Sequence, residues 1–135
     1  MARYRRLKPL LKDLLLAHDW QTRLSEVEEI PSRQAIGPLF SFLLHAGELK
    51  WRSVTALGLV VPALANASME EARIIMRRMI WNLCEESGNL GWGMPEAMGE
   101  VMAMHAGLAK EYNRVLISYT MELGVDDTYI EHPPL

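Results

Sequence analysis

An internal repeat is the feature that most constrains the fold of this chain. A shift of 41 residues superimposes identical residues at several positions: Gly47 on Gly88, Leu49 on Leu90, Trp51 on Trp92, Ala56 on Ala97, Gly58 on Gly99 and Val60 on Val101. A period of this length is typical of stacked helix–turn–helix units. Each such unit has an apolar face that only a neighbouring unit covers, so the repeat predicts an elongated stack of helix pairs.

Helix signals recur along the whole chain, and no segment alternates as a strand would. Ser68-Met-Glu-Glu71 matches a capping box, and the apolar residues that follow it share one face of a helix. Pro95 suits the first turn of another helix, and we expect Gly47 and Gly88 to end helices. The predicted helices lie near 7–18, 20–29, 32–46, 49–66, 69–87, 94–106 and 108–123. The fold class is therefore all-α, an α-α superhelix of six or seven helices without a sheet.

The domain organisation follows from the repeat. A chain of 135 residues fits one domain. Its expected parts are N-terminal capping helices (1–30), a first repeat (31–66), a second repeat (67–106), the first helix of a third repeat (107–123) and an irregular tail (124–135). The last helix then presents an apolar face that includes some of Leu116, Ile117, Tyr119 and Met121. We expect either a longer native protein, of which this is the N-terminal part, or a partner or second copy that covers this face.

Composition points to a cytoplasmic protein without a membrane span. The only cysteine is Cys84, so no internal disulfide framework is possible. The basic start lacks the long apolar stretch of a secretory signal. The longest run without Asp, Glu, Lys or Arg, residues 53–69, has seventeen residues and contains Pro62 and Asn66. It is short for a membrane span and fits a buried helix better.

The net charge of −3 conceals an uneven distribution. Residues 1–12 carry five positive charges and no negative ones, whereas residues 85–135 carry nine acidic and two basic side chains. A nucleic-acid groove requires a basic surface. The acidic C-terminal third therefore argues against nucleic acid as a partner.

Two phrases carry a resemblance to a known kind of repeat. WRSVTALGLVV and WGMPEAMGEVM share an A-(L/M)-G pattern at the start of a second helix, and there the chain resembles HEAT-like repeats of the phycobilisome-lyase type. RQAIGPLFSFLLHAGELKWRSVTALG, together with ESGNLGWGMPEAMGE, resembles a family of uncharacterised HEAT-like proteins of sulfate-reducing bacteria. The resemblance spans roughly residues 31–123 and implies the α-α superhelix. It supplies no catalytic residues, because HEAT arrays host many functions.

The stretch WNLCEESGNLGWGMPEAMGE, residues 81–100, has the composition of a site but the pattern of a helix corner. Cys84 falls beside the apolar stripe, which predicts a structural core residue. Glu96 and Glu100 lie one turn apart on one helix face. A metal would require histidines or further carboxylates beside them, so we interpret these acids as a ridge that pairs with Arg73 and Arg77. We expect no cofactor and no metal ion.

Two glycines have positions that demand a packing reason. Gly58 and Gly99 lie inside predicted helices, where glycine costs about 1 kcal/mol relative to alanine. Their correspondence in the repeat predicts that both allow close approach of a neighbouring helix.

The leading functional hypothesis is a non-enzymatic scaffold that binds a protein partner or itself. The sequence contains no recognisable catalytic pattern. In such stacks the second helix of each repeat lines the inner face. The binding candidates on these helices are Arg52, Thr55, Trp92, Glu96 and Glu100. The alternative is an enzyme or ligand binder of the lyase-like or DNA-glycosylase-like HEAT kind, in which Trp51, Trp92, Glu96 and Arg52 act on the inner face.

Overall fold

Seven helices account for the regular structure of the residues that a computed structural model describes. The model describes residues 6–85 and 93–124, with side chains described for 6–82 and 93–116. The helices are α1 (Leu7–Leu16), α2 (Trp20–Glu28), α3 (Ser32–Phe42), α4 (Glu48–Ala67), α5 (Met69–Glu85), α6 (Met94–Met104) and α7 (Ala106–Gly124). No strand occurs within these ranges. The all-α class is confirmed, whereas the superhelical arrangement stays a prediction.

The helix bounds follow the sequence signals closely, with one informative exception. α3 ends at Phe42, four residues before the predicted end, because the amides of Leu43 and His45 bond to carbonyls three residues earlier and tighten the chain into turns. Gly47, expected to end α3, instead precedes α4 with a φ of 76°. This left-handed conformation is open to glycine at little cost, so Gly47 redirects the chain into α4.

α4 is the centre of the fold. This 20-residue helix packs against α1, α2, α3, α5 and α6, and its most extensive contact is with α6. Leu57 is fully buried in this core together with Leu11 of α1, Phe42 of α3 and Met98 of α6. Burial on several sides explains the apolar run that the sequence shows here. Within the described ranges, no helix has both the length and the apolarity needed to cross a bilayer.

Two helix corners have the same construction. Ser68 separates α4 from α5, and its Oγ accepts a hydrogen bond from the amide of Glu71 at 3.3 Å. His105 separates α6 from α7, and its Nδ1 accepts from the amide of Leu108 at 3.1 Å. Both residues have extended backbones and cap the helix that follows.

The two caps lie 37 residues apart, and the same spacing relates buried positions of α4 and α6: Leu57 and Met94, Val60 and Ala97, Val61 and Met98, Leu64 and Val101, Ala65 and Met102. The structural correspondence thus differs by four residues from the 41-residue register. Four residues are about one helical turn, so both registers keep apolar residues on nearly the same face. The assignment of these helix pairs to HEAT-like repeats stays a prediction.

Only half of the predicted capping box forms at Ser68. The Glu71 carboxylate does not return to the Ser68 amide, which donates to the carbonyl of Leu64 at 2.7 Å. Instead, Arg33 of α3 donates to both Glu71 oxygens, at 2.5 and 2.6 Å. The box is therefore replaced by a bridge between α3 and α5.

A second bridge of the same kind joins α5 to α7. Arg73 donates to both oxygens of Glu111, at 3.0 and 2.8 Å. These bonds hold the pKa of the Glu111 carboxyl below its ordinary value, as Arg33 does for Glu71. Successive first helices of the pairs, α3, α5 and α7, are thus linked by bidentate ion pairs on an exposed surface.

Candidate functional site

The solvent-facing stripes of α4 and α6 adjoin to form one surface. Glu100 of α6 lies over Gly58 of α4, and Nε2 of His105 lies 3.2 Å from Oδ1 of Asn66. Both contacts advance in the same direction along the two helices, so α4 and α6 pack in parallel. We call the exposed and half-exposed residues beside this seam the α4–α6 face: Thr55, Leu59 and Ala63 of α4 with Glu96, Gly99, Glu100 and Ala103 of α6.

The two carboxylates of the α4–α6 face have no ion pair with any described residue. Glu96 is exposed in the first turn of α6, where the positive end of the helix dipole favours a negative charge. Glu100 is half-buried because its methylene groups cover Gly58. The two glutamates therefore give the α4–α6 face a negative charge that the described residues do not neutralise.

The expected pairing of these glutamates with the arginines of α5 is wrong. Arg73 binds Glu70 and Glu111, and Arg77 approaches Glu70 at 3.8 Å. Arg73 thus pairs with a residue of α7, whereas Glu100 lies against Gly58 of α4. Helical periodicity shows which face of its own helix a charged residue occupies. It does not show which neighbouring helix that face contacts.

The side chain of Arg52 joins three helices of the fold. Its Nη1 donates to the carbonyl of Leu15 at 2.7 Å, and its Nη2 lies 3.0 Å from Glu48 Oε1. The guanidinium carbon is also 5.0 Å from the centroid of the Trp20 ring, a cation–π distance. The side chain is only 18% exposed. Arg52 thus satisfies a carbonyl at the C-terminal end of α1 and joins α1 and α2 to α4.

The remaining residues that the sequence suggested are Thr55, Trp51, Trp92 and Cys84. The structure describes the side chains of the first two. The hydroxyl of Thr55 donates to the carbonyl of Trp51 at 3.5 Å, within its own helix, and the side chain stays half-exposed on the face. Trp51 itself is 48% exposed, and Nζ of Lys50 lies 4.5 Å from its ring centroid. Trp92 lies outside the described residues. Cys84 belongs to α5, but its side chain is not among those described.

Gly58 and Gly99 differ, although the repeat predicted one role for both. A Cβ atom on Gly58 would collide with the Glu100 side chain, which confirms close approach there. A Cβ on Gly99 would meet no described atom within 4 Å. The prediction for Gly99 is wrong: the 37-residue correspondence matches Gly99 to Pro62 and not to Gly58, and the residue of α6 that lies against Gly58 is Glu100.

His105 and Asn66 are contacts that sequence reasoning did not find. His105 caps α7 through one ring nitrogen and meets Asn66 through the other, so both nitrogens are engaged in the fold. Their separation of 39 residues is close to the repeat period, which is the signal that could have paired them. Among the described residues, no group of three or more His, Cys, Asp or Glu side chains is arranged to hold a metal ion.

Comparison of the chain with protein-family models, with curated proteins and with solved structures finds no match in any of the three. The class that the fold itself defines is a seven-helix all-α chain, counted over the described ranges, with an acidic face along α4 and α6.

Proposed function

We propose that this chain is a non-enzymatic scaffold of HEAT-like repeats that binds another protein, or a second copy of itself, through the α4–α6 face. The observation that carries the proposal is the pair of carboxylates, Glu96 and Glu100, that stand on this face without an ion pair among the described residues. Charged residues on an exposed surface often serve solubility alone. These two carboxylates, in addition, border a surface of small side chains.

The small side chains allow a partner to come close. Gly99 has open space around it, and Ala63 and Ala103 are exposed. A partner's lysine or arginine that reaches Glu96 across such a surface would lose water and gain a charge-assisted hydrogen bond. Trp51, half-exposed on the same helix as Thr55, supplies the large aromatic contact that is common in energetic centres of interfaces. A protein with a basic patch is therefore the partner that we propose.

The same charge opposes a nucleic-acid partner, because a negative face repels phosphates. We propose a cytoplasmic location, because a composition with one cysteine fits a reducing compartment. The scaffold needs no cofactor. An enzymatic function has no specific observation in its favour, since the histidine nearest to the carboxylates in sequence, His105, is engaged in helix capping.

Affinity capture from the source organism tests this proposal. The tagged chain should retain a basic protein, or a second copy, and Glu96→Lys should reduce the retained amount by about tenfold, as loss of one central contact does. Glu28→Lys, at an exposed position of α2, is the matched control and should retain the partner. Equal loss in both variants, or equal retention, contradicts the use of the α4–α6 face.

A further inference from the structure

A groove on a different surface runs between α3 and α5. Two clefts of about 260 and 300 Å³ lie along it, and Arg78 lines both, so the two clefts adjoin at its side chain. Leu64 of α4 lines the first cleft, which shows that α3 and α5 straddle α4 there. We call this depression the α3–α5 groove.

The walls of the α3–α5 groove are mainly apolar. Ile36 and Ile75 are buried against the core, whereas Ile74 on α5 and Leu44 after α3 are 47% and 58% exposed. Large aliphatic side chains on this concave surface remain in contact with water. A partner that covers them removes apolar surface from water, which favours binding. The groove thus has the apolar character of a docking surface.

Among the described residues that line the groove, Arg78 is the cation that lies where the two clefts meet. The guanidinium carbon of Arg78 is 5.1 Å from the centroid of Phe40, and no described carboxylate pairs with it. At the end of the groove, by contrast, Arg33 is held by the bidentate bridge to Glu71 and is neutralised. The charge available to a ligand in the groove is therefore positive and located at Arg78.

We propose that the α3–α5 groove binds an acidic amphipathic helix of a partner protein. The span from Ile74 to Asn82 is about 12 Å, so a ligand helix of about two turns covers it. Apolar residues on one face of that helix would contact Ile74 and Leu44, and a carboxylate between them would pair with Arg78, which is the helix-in-groove mode of recognition. Charge complementarity selects this occupant over a basic one. The α3–α5 groove is a separate surface, and binding there does not depend on the α4–α6 face.

A displayed peptide library tests the proposal without a known partner. The library carries leucine at positions i, i+3 and i+7 and glutamate at i+4, and its matched counterpart carries lysine at i+4. Both are sorted against the fluorescently labelled full chain. Enrichment of the glutamate library over the lysine library is the expected result. Equal enrichment, or no enrichment of either, overturns the proposal.

The enriched peptide is then measured by fluorescence anisotropy against variants of the chain. Arg78→Glu should weaken its binding by about tenfold or more and should favour the lysine counterpart. Arg114→Glu makes the same charge change at an exposed position of α7 and should leave binding unchanged. Arg78→Lys, which keeps the charge, should retain most of the affinity, and matched urea midpoints show that the variants fold.

Three results exclude the groove or this occupant. Equal weakening by Arg114→Glu indicates non-specific attraction, and binding that Arg78→Glu leaves unchanged but Glu96→Lys strengthens assigns the peptide to the α4–α6 face. Self-association of the free chain in sedimentation velocity that disappears in Ile74→Asp assigns the groove to a second copy. Each of these outcomes contradicts the proposal while leaving the function proposed above to its own test.

Discussion

The side chain of Glu100 occupies the space that a β-carbon on Gly58 would need. Its Cβ and Cδ atoms lie 3.4 and 3.5 Å from that position, with Cγ closer still. Gly58 also lies four residues before Pro62, which has no N–H to offer the Gly58 carbonyl. The absence of a side chain at Gly58 therefore lets α6 approach α4 and fixes where Glu100 lies on the α4–α6 face.

This relationship predicts opposite effects at the two repeat glycines. Gly58→Leu should lower the free energy of unfolding by about 1–3 kcal/mol, because the added side chain displaces Glu100 and overpacks the helix contact. Gly99→Leu should be neutral or stabilising by up to about 1 kcal/mol, because leucine favours helix and the position is open. Urea denaturation of both variants measures this. Equal destabilisation would return Gly99 to the close-approach role that the sequence predicted.

Arg52 should matter for stability. Arg52→Ala removes a charge-assisted bond to the Leu15 carbonyl and the contact with Trp20, so the free energy of unfolding should fall by about 1.5–3 kcal/mol. Arg114→Ala, at an exposed position, should change it by no more than about 0.5 kcal/mol. Thermal and urea unfolding compare the two. A wild-type midpoint for Arg52→Ala would show that these contacts do not stabilise the fold.

The cap at His105 predicts a rescue by another capping residue. His105→Ala should cost about 0.5–2 kcal/mol, because the Leu108 amide loses its acceptor. His105→Asn should recover much of this loss, since asparagine is among the preferred N-cap residues. Hydrogen exchange at the Leu108 amide reports the cap directly. If asparagine and alanine behave alike at position 105, the capping role is incorrect.

The Arg33–Glu71 bridge predicts a pH effect of defined sign. Because the bonds from Arg33 lower the pKa of Glu71 in the folded chain, this pair contributes stability above the unfolded-state pKa of glutamate. That contribution is lost as the pH falls through the lowered folded-state pKa. Arg33→Gln should raise the pKa of Glu71 toward its ordinary value, as followed by carboxyl NMR, and flatten the acid limb of stability against pH. An unchanged Glu71 titration would contradict the bridge in solution.

Most of the fold was accessible from the sequence because its helix signals are local. The cap at Ser68 and the proline at Pro95 mark helix starts that depend on neighbouring residues only, and both lie where the structure begins α5 and α6. The end of α3 was less accessible. The apolar pattern continues past Phe42, but the amides of Leu43 and His45 bond to carbonyls three residues earlier, a change of backbone geometry that the apolar pattern does not encode.

The candidate site was only partly accessible, because its contacts join distant residues. Identical residues fixed the repeat at 41, while the matching caps at Ser68 and His105 lie 37 apart. A difference of one helical turn preserves the face of a residue but changes its equivalent in the other helix pair, so the 37-residue spacing matches Gly99 to Pro62 and not to Gly58. The role of Arg52 was missed for a similar reason, since its main acceptor, Leu15, is 37 residues away.

Site-specific photo-crosslinking tests the central claim, that the α4–α6 face binds a partner, most directly. Benzoylphenylalanine is introduced at Gly99, on the open part of the face, and at Asn113, an exposed position of α7, as the control. In extracts of the source organism, irradiation should crosslink a protein partner or a second copy through position 99 but not through position 113, and Glu96→Lys should abolish the product. Crosslinking through position 113 alone, or through both positions regardless of Glu96→Lys, would contradict the account.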